Sequence, residues 1–320
     1  MRQGIFVRIN EGKWKGFEAQ LAHPSALSAD ELSFIYVHLT EDLAYAQARY
    51  PGTQVVLYLN ELTVRVHNLI YRNKPEKKSR FITFWTDEVP REMNRAYPYL
   101  GYAFLIFAAG VFIGALSAAY DDTFVRLILT DPYVDMTYEN IEKGDPMAVY
   151  KGMSESYMFV TITANNIRVA LMAFAFGLLF SVGTGYILFQ NGLMLGTFHY
   201  LFFQQGLFDE TILTIWIHGT LEISAIVIAG AAGLVMGNGL LFPGTYPRLY
   251  AFRLSARRGL KIVLSLVPFF IVAGFLESFV TRHTEWPLVV KIFIILISLA
   301  VVSTYLVILP NLKKHVRTKN

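Results

Sequence analysis

His218 and Glu222 stand four residues apart in an apolar run too long for an ordinary globular helix. That spacing puts the imidazole and the carboxylate on one helix face, where the pair could relay a proton, bridge neighbouring helices, ligate a metal or act as base and acid. Either group costs several kcal/mol in hydrocarbon unless it finds a partner, so both must look into a polar interior. Other stretches carry groups of the same kind. Asn165, Asn166 and Arg168 open one apolar run, Glu277 lies near the end of another, and His199 lies in a short third. Arg168 is the expected counter-charge for Glu222 or Glu277, because an unpaired carboxylate there is expensive or protonated.

The same residues exclude much. His218-Gly-Thr-Leu-Glu222 lacks the second histidine of a zinc-protease helix, and no G-x-S-x-G nucleophile elbow is present. Gly183-Thr-Gly185 and Gly237-Asn-Gly239 fall in or beside apolar spans, without the strand that a nucleotide-binding loop needs. The absence of cysteine removes disulfides, thiolate catalysis and Cys-based metal sites. His23, His38 and His67 have no ligand-like companions at close spacing and read as surface or packing residues. No catalytic residue, metal or cofactor is expected.

The elements that position these groups are membrane helices. The chain of 320 residues is 54% hydrophobic and only 16% charged, where soluble domains carry about 25% charged residues. Mean hydropathy is +0.42. The net charge of +4 comes from bases clustered beside apolar spans, which fits lipid headgroups and topology better than nucleic acid. The opening residues lack the continuous apolar core of a signal peptide.

Residues 1–95 read as a cytosolic helical domain. Ser28-Ala-Asp-Glu31 is a capping box for a helix running to Tyr50, and Pro51-Gly52 breaks it. A second helix comes next, with Val56, Leu59, Val66 and Ile70 as its inner stripe. Five bases (Arg72, Lys74, Lys77, Lys78 and Arg80) then lead to Phe81, Phe84, Trp85, Arg91 and Arg95, which read as an interfacial helix ending the domain.

Residues 96–310 read as an all-α polytopic bundle of about six spans: 97–119, 166–189, 192–207, 211–237, 261–280 and 287–309. All but 192–207 have the roughly 20 residues needed to cross the hydrocarbon, so that one is expected to be tilted, broken or re-entrant. Bases cluster before the first span, between the fourth and fifth (Arg248, Arg253, Arg257, Arg258, Lys261), and in the tail 311–320 (Lys313, Lys314, Arg317, Lys319). The segment 120–160 is acidic instead. The positive-inside rule therefore places both termini in the cytosol and 120–160 outside, and brings Asn166, His218, Glu222 and Glu277 together in the outer half of the bundle.

Small residues are spaced for close helix contact. His218, Glu222, Ala225, Ala229, Gly233 and Gly237 share one face of the fourth span, as Asn166, Ala173, Gly177, Ser181 and Gly185 do on the second. Asn191, Gly192, Gly196, Gly219 and Gly230 are further packing candidates.

In this order the motifs resemble the stage II sporulation protein M family. They are Asn165-Asn166 opening a span with Gly177, Asn191-Gly192 with Gly196, His218-Gly219-x-x-Glu222 followed by Ala229-Gly230-x-x-Gly233, and Gly274-Phe-Leu-Glu277. The resemblance covers roughly 95–310, and the helical N-terminal region is similar to the longer, non-sporulation branch. It implies a multi-pass protein of the cytoplasmic membrane. In spore formers the family member works in a membrane complex with peptidoglycan-cutting enzymes. Relatives elsewhere commonly accompany small membrane proteins and a MoxR-like ATPase.

The expected function is that of a scaffold or subunit of a cytoplasmic-membrane complex. Its partners would be membrane lipids and other membrane proteins, including by resemblance a MoxR-like ATPase system or cell-envelope proteins, with self-association left open. The alternative is a transporter or channel component for protons, a small solute or lipid, working through His218 and Glu222. An intramembrane enzyme is the least favoured reading.

Overall fold

In the computed structural model, Ser28 and Glu31 cap the helix they open: Ser28 N donates to Glu31 Oε2 at 2.7 Å, and Glu31 N donates to Ser28 Oγ at 3.2 Å. The structure describes residues 1–24, 27–71 and 80–312, and every regular element among them is a helix. The chain divides into two units, Met1–Ser79 and Arg80–Asn320.

The first unit packs α1 (Gln3–Ala22), α2 (Ala29–Arg49) and α3 (Gln54–Tyr71) around one core. Phe6, Trp14, Phe17 and Leu21 of α1 enter it at helical spacing, and Trp14 Nε1 donates to Asp42 at 2.7 Å. On α3 the buried stripe is Val55, Leu59, Leu62 and Val66, while Val56 and Ile70 sit at its margin. Both sets keep the helix period, and the buried one is centred a little further round the helix, sharing Leu59 and Val66 with the expected stripe. His38 packs on Phe34, and His67 packs on Tyr71.

The second unit contains α4 (Arg80–Tyr120), the short α5 (Asp122–Leu129) and α6 (Asp131–Glu142), then α7 (Glu155–Leu178), α8 (Val182–Gln204), α9 (Phe208–Leu241), α10 (Arg248–Val280) and α11 (Leu288–Leu312). The interfacial helix expected before residue 96 is continuous with the first span, so the boundary falls at 79/80. Bases 72–78 and the tail bases from Lys313 onward lie outside the described residues. Among the described residues, five helices (α4, α7, α9, α10 and α11) are long and apolar enough to cross a membrane. The sixth, α8, is long enough at 23 residues, but Gln190, Asn191 and His199 dilute its hydropathy. Of the apolar stretch of α9, 72% is buried, against 17% in α7 and α11, which makes α9 the central helix.

The second and third spans differ from expectation. No helix runs 166–189: α7 ends at Leu178, and the chain turns through Phe180 (φ 52) and Ser181 (φ 66) before α8 begins. Gly185 therefore belongs to α8, and Asn191-Gly192 lies in the middle of a helix. Gly192 is needed there for contact, since an added Cβ would sit 3.1 Å from Gly110 Cα of α4. Gly196 meets Val111, and Gly114 meets Leu193, so α4 and α8 cross on a small-residue seam. A second seam joins the end of α7 and the turn after it to α9, with Gly177 against Gly233 and Ser181 against Gly237. Thr184 Oγ1 of α8 donates to Ala173 O at 2.7 Å, Gly230 meets the Leu188 side chain, and Ala229 is fully buried. Two packing candidates act within their own helices. Asn191 Nδ2 donates to Ile187 O at 2.8 Å, and the atoms nearest a Cβ on Gly219 belong to Ile215 and Ile223.

Among the described residues, three helices contain a widened π turn: Phe84–Glu88 in α4, Leu276–Val280 in α10 and Thr304–Ile308 in α11. The first and last each end two residues before a proline, Pro90 and Pro310. A proline ring clashes with the carbonyl four residues back and lacks an N–H, and one extra residue in the preceding turn relieves both. Leu276–Val280 has no such proline, the next being Pro287. That turn needs another explanation, and it carries Glu277.

Candidate functional site in the helix bundle

Three helices deliver the polar groups. His218 and Glu222 come one turn apart on α9, Glu277 from the π turn of α10, and Asn166 from α7. One imidazole nitrogen and one oxygen from each carboxylate all lie within 4.8 Å of one another. His218 Nε2 is 3.9 Å from Glu277 Oε1, and His218 Nδ1 is 3.0 Å from Thr281 Oγ1. The Asn166 side chain faces the Glu222 carboxylate, but its Nδ2 closes no hydrogen bond of normal geometry.

Arg168 does not join them. Two residues beyond Asn166, it is turned by about 200° around α7 and is exposed on the opposite face. Asn165 is exposed as well, so only Asn166 of that trio turns inward. His199 has its own partner, accepting from Trp216 Nε1 at 3.2 Å. Among the described residues, no lysine or arginine comes within 4 Å of a carboxylate oxygen of Glu222 or Glu277.

The surroundings are under-satisfied. Thr163 Oγ1, Asn166 Nδ2 and Ser278 Oγ are the buried side-chain atoms without a hydrogen-bond partner among the described residues, and all three flank this site. Thr163 and Asn166 are one turn apart on α7, Thr163 packs on Gly274 of α10, and Ser278 adjoins Glu277. Orphaned buried polar groups are rare in native proteins and usually mark a missing water, an ion or a functional role.

The segment joining α6 to α7 covers the site. The Tyr150 ring stands edge-on to His218, with centroids 5.8 Å apart. Arg282 holds that segment down: Nη1 donates to Glu155 Oε1 at 2.7 Å, and Nη2 donates to Tyr150 O at 3.1 Å and Met153 O at 2.8 Å. Tyr133 of α6 feels the same carboxylate. Burial first, and then the Glu277 charge, push its hydroxyl up to about 12. Tyr150 is raised further by burial, then by Glu277, Tyr133 and Glu222. Nearby, Lys291 is buried at 7% exposure and donates to Thr214 Oγ1 at 3.1 Å and Thr284 O at 2.9 Å. Sequence reading missed Tyr150, Thr281, Arg282 and Lys291. Of these, Lys291 and Arg282 carry a visible signal, as lone bases at the ends of apolar helices.

At the opposite ends of α4, α9 and α10 lies a different polar site, a cavity of about 300 Å³ lined in part by Glu92, Arg95, Asn238 and Arg258. Here the acid is paired: Glu92 meets Arg95 at 3.2 Å and Arg258 at 3.8 Å.

Comparison with known proteins adds two matches. The sequence model of the stage II sporulation protein M family covers residues 103–282, more than half of the chain, and takes in Asn166, His218, Glu222 and Glu277. A domain of unknown function (DUF8413) covers residues 5–72, the three-helix unit. No curated protein and no solved structure matches the chain significantly.

Proposed function

The chain belongs to the stage II sporulation protein M family, and from that premise we propose that it is a multi-pass subunit of a cytoplasmic-membrane complex whose bundle takes up a cation. Both termini face the cytosol, and the cation enters from the extracytoplasmic side. One observation carries this reading: two carboxylates and an imidazole converge within 4.8 Å without a basic partner among the described residues. A bundle serving only as an anchor gains nothing from buried acids it leaves unpaired, and hydrophobic replacements would stabilise it more. Cation uptake also favours the transport alternative over an inert scaffold.

Ser278→Cys tests access to the site, because the chain has no native cysteine to interfere. A small, membrane-impermeant thiol reagent added outside should label it. Protection from the reagent on both sides of the membrane would reduce the polar groups to internal glue.

A scaffold role is favoured by the first unit. It has its own core and its own family match, and it exposes Phe34 and Val37 on α2 and Leu57 and Val64 on α3. Its partners would be other membrane proteins or, as the resemblance implies, a MoxR-like ATPase system. Affinity purification in mild detergent should lose a co-purifying protein on Phe34→Glu.

A further inference from the structure

We propose that His218, Glu222 and Glu277 bind a divalent first-row transition cation within the bundle, with Asn166 as a further donor. The inference rests on the cation-uptake reading and names the cation.

The proton count around His218 comes first. When Thr281 Oγ1 donates to Leu276 O at 3.1 Å, it accepts from His218 Nδ1 at 3.0 Å. In that arrangement Nδ1 carries the ring proton, and Nε2 presents a bare lone pair. That lone pair faces Glu277 Oε1 at 3.9 Å with Glu222 close by. Three acceptors pointing at one volume repel one another unless something positive sits between them. A hydrogen bond behind the ring that fixes its tautomer is the usual support for a ligating histidine. The π turn supplies both ends of this arrangement, since Thr281 N bonds Leu276 O across it and Glu277 projects from it.

Charge and size select the ion. Two carboxylates and a neutral imidazole sum to minus two, which one divalent ion cancels and one proton does not. Donors around a zinc-like ion with bonds of about 2.1 Å lie roughly 3.4 Å apart, so separations of 3.9 to 4.8 Å need only small side-chain movements to close. An imidazole with two carboxylates suits zinc, iron, cobalt or manganese, whereas calcium and magnesium take all-oxygen shells of six or more. Asn166 is the independent sign of a ligand. Its side chain is 6% exposed, its amide nitrogen has no partner, and it faces Glu222. With the amide turned over, its oxygen becomes a fourth donor. In its present orientation, the N–H would steady the ligating carboxylate. The orphaned Ser278 hydroxyl beside Glu277 has a use on the same terms.

The test uses the full chain purified in detergent, stripped with a chelator and titrated with cobalt(II) and zinc(II). One equivalent per chain should bind, with a low-coordinate cobalt absorption band and a raised melting temperature. Glu222→Gln, Glu277→Gln and His218→Gln should each weaken binding by more than the roughly 10- to 100-fold lost when a group behind a ligand is changed. Thr281→Val should fall within that 10- to 100-fold range, and Arg168→Gln should bind as the parent does. Gel filtration identifies any variant that fails to fold, and the remaining ligand variants then decide the matter. The inference is overturned if the parent binds no stoichiometric metal, or if folded Glu222→Gln and Glu277→Gln bind it unchanged. A metal-free parent with a protonated-carboxyl infrared band, lost in Glu277→Gln, would leave a proton as the cation and the broader reading intact. Neither metal nor that band would remove both.

Discussion

Glu92 and Glu277 are almost equally hidden, with side chains 11% and 14% exposed, yet the bundle treats them in opposite ways. Glu92, near the N-terminal ends of α4 and α10, has Arg95 and Arg258 against it, and one turn earlier Glu88 pairs with Lys261 at 2.6 Å. Glu277 has Glu222, a histidine and two tyrosines around it. Bases gather at these helix ends, and an acid placed there is paired by its surroundings. At the other end of the bundle the available bases are committed elsewhere, Arg282 to the Tyr150 segment and Lys291 to Thr214 and Thr284. On the function proposed above, the difference separates an acid that belongs to the architecture from acids kept ready for a cation.

Charge reversal should break this contrast most visibly. Glu92→Lys places a third base beside Arg95 and Arg258 and should cost on the order of 3 kcal/mol, read as a large fall in melting temperature in detergent. Glu277→Lys supplies the cation its site lacks and should hold or raise that temperature while abolishing metal binding. Neutralisation is the gentler form. Glu92→Gln should lose about 1–2 kcal/mol, and Glu277→Gln should lose none; equal losses would mean that Glu222 and Glu277 are structural too. Arg282→Gln should release the segment over the site, seen as faster proteolysis between residues 143 and 154, with about 1 kcal/mol or less in overall stability.

A smaller effect is expected at high pH. The Tyr133 hydroxyl is raised from 10.0 to about 12, so its contribution is complete below pH 10 and is lost as pH climbs through about 12. Glu277→Gln removes the lesser of the two causes and should lower the tyrosinate midpoint slightly, leaving the part due to burial. Arg168→Gln, on the exposed face of α7, should change stability by no more than about 0.5 kcal/mol.

Much of the contrast is legible in the sequence. An imidazole and an acid four residues apart in an apolar run announce themselves, and so does a lone Glu277. The pairing of Arg168 with those acids follows from charge alone and fails on phase: two residues on a helix are nearly opposite, and Asn166 holds the inward position. The turn at Leu179-Phe-Ser181 has no glycine, proline or asparagine to mark it. The stronger turn signal, Asn191-Gly192, sits mid-helix because Gly192 lets α8 approach Gly110. Small residues mean either a bend or a contact, and local sequence cannot separate the two. Thr281, Tyr150 and the acceptor-to-acceptor geometry at His218 appear only once α6, α7, α9 and α10 are assembled.

The wide turn at Leu276–Val280 has a consequence for how such a chain can drift. Removing one residue there would restore a regular helix and rotate its two flanks by about 100° relative to each other, parting Glu277 from the Thr281 that steadies His218. Insertions and deletions in loops are usually harmless, but here a single missing codon would disarm the protein without disturbing its bulk. Among relatives, the length of this helix should therefore be as invariant as the acid it carries, and chains one residue shorter should be found without the histidine.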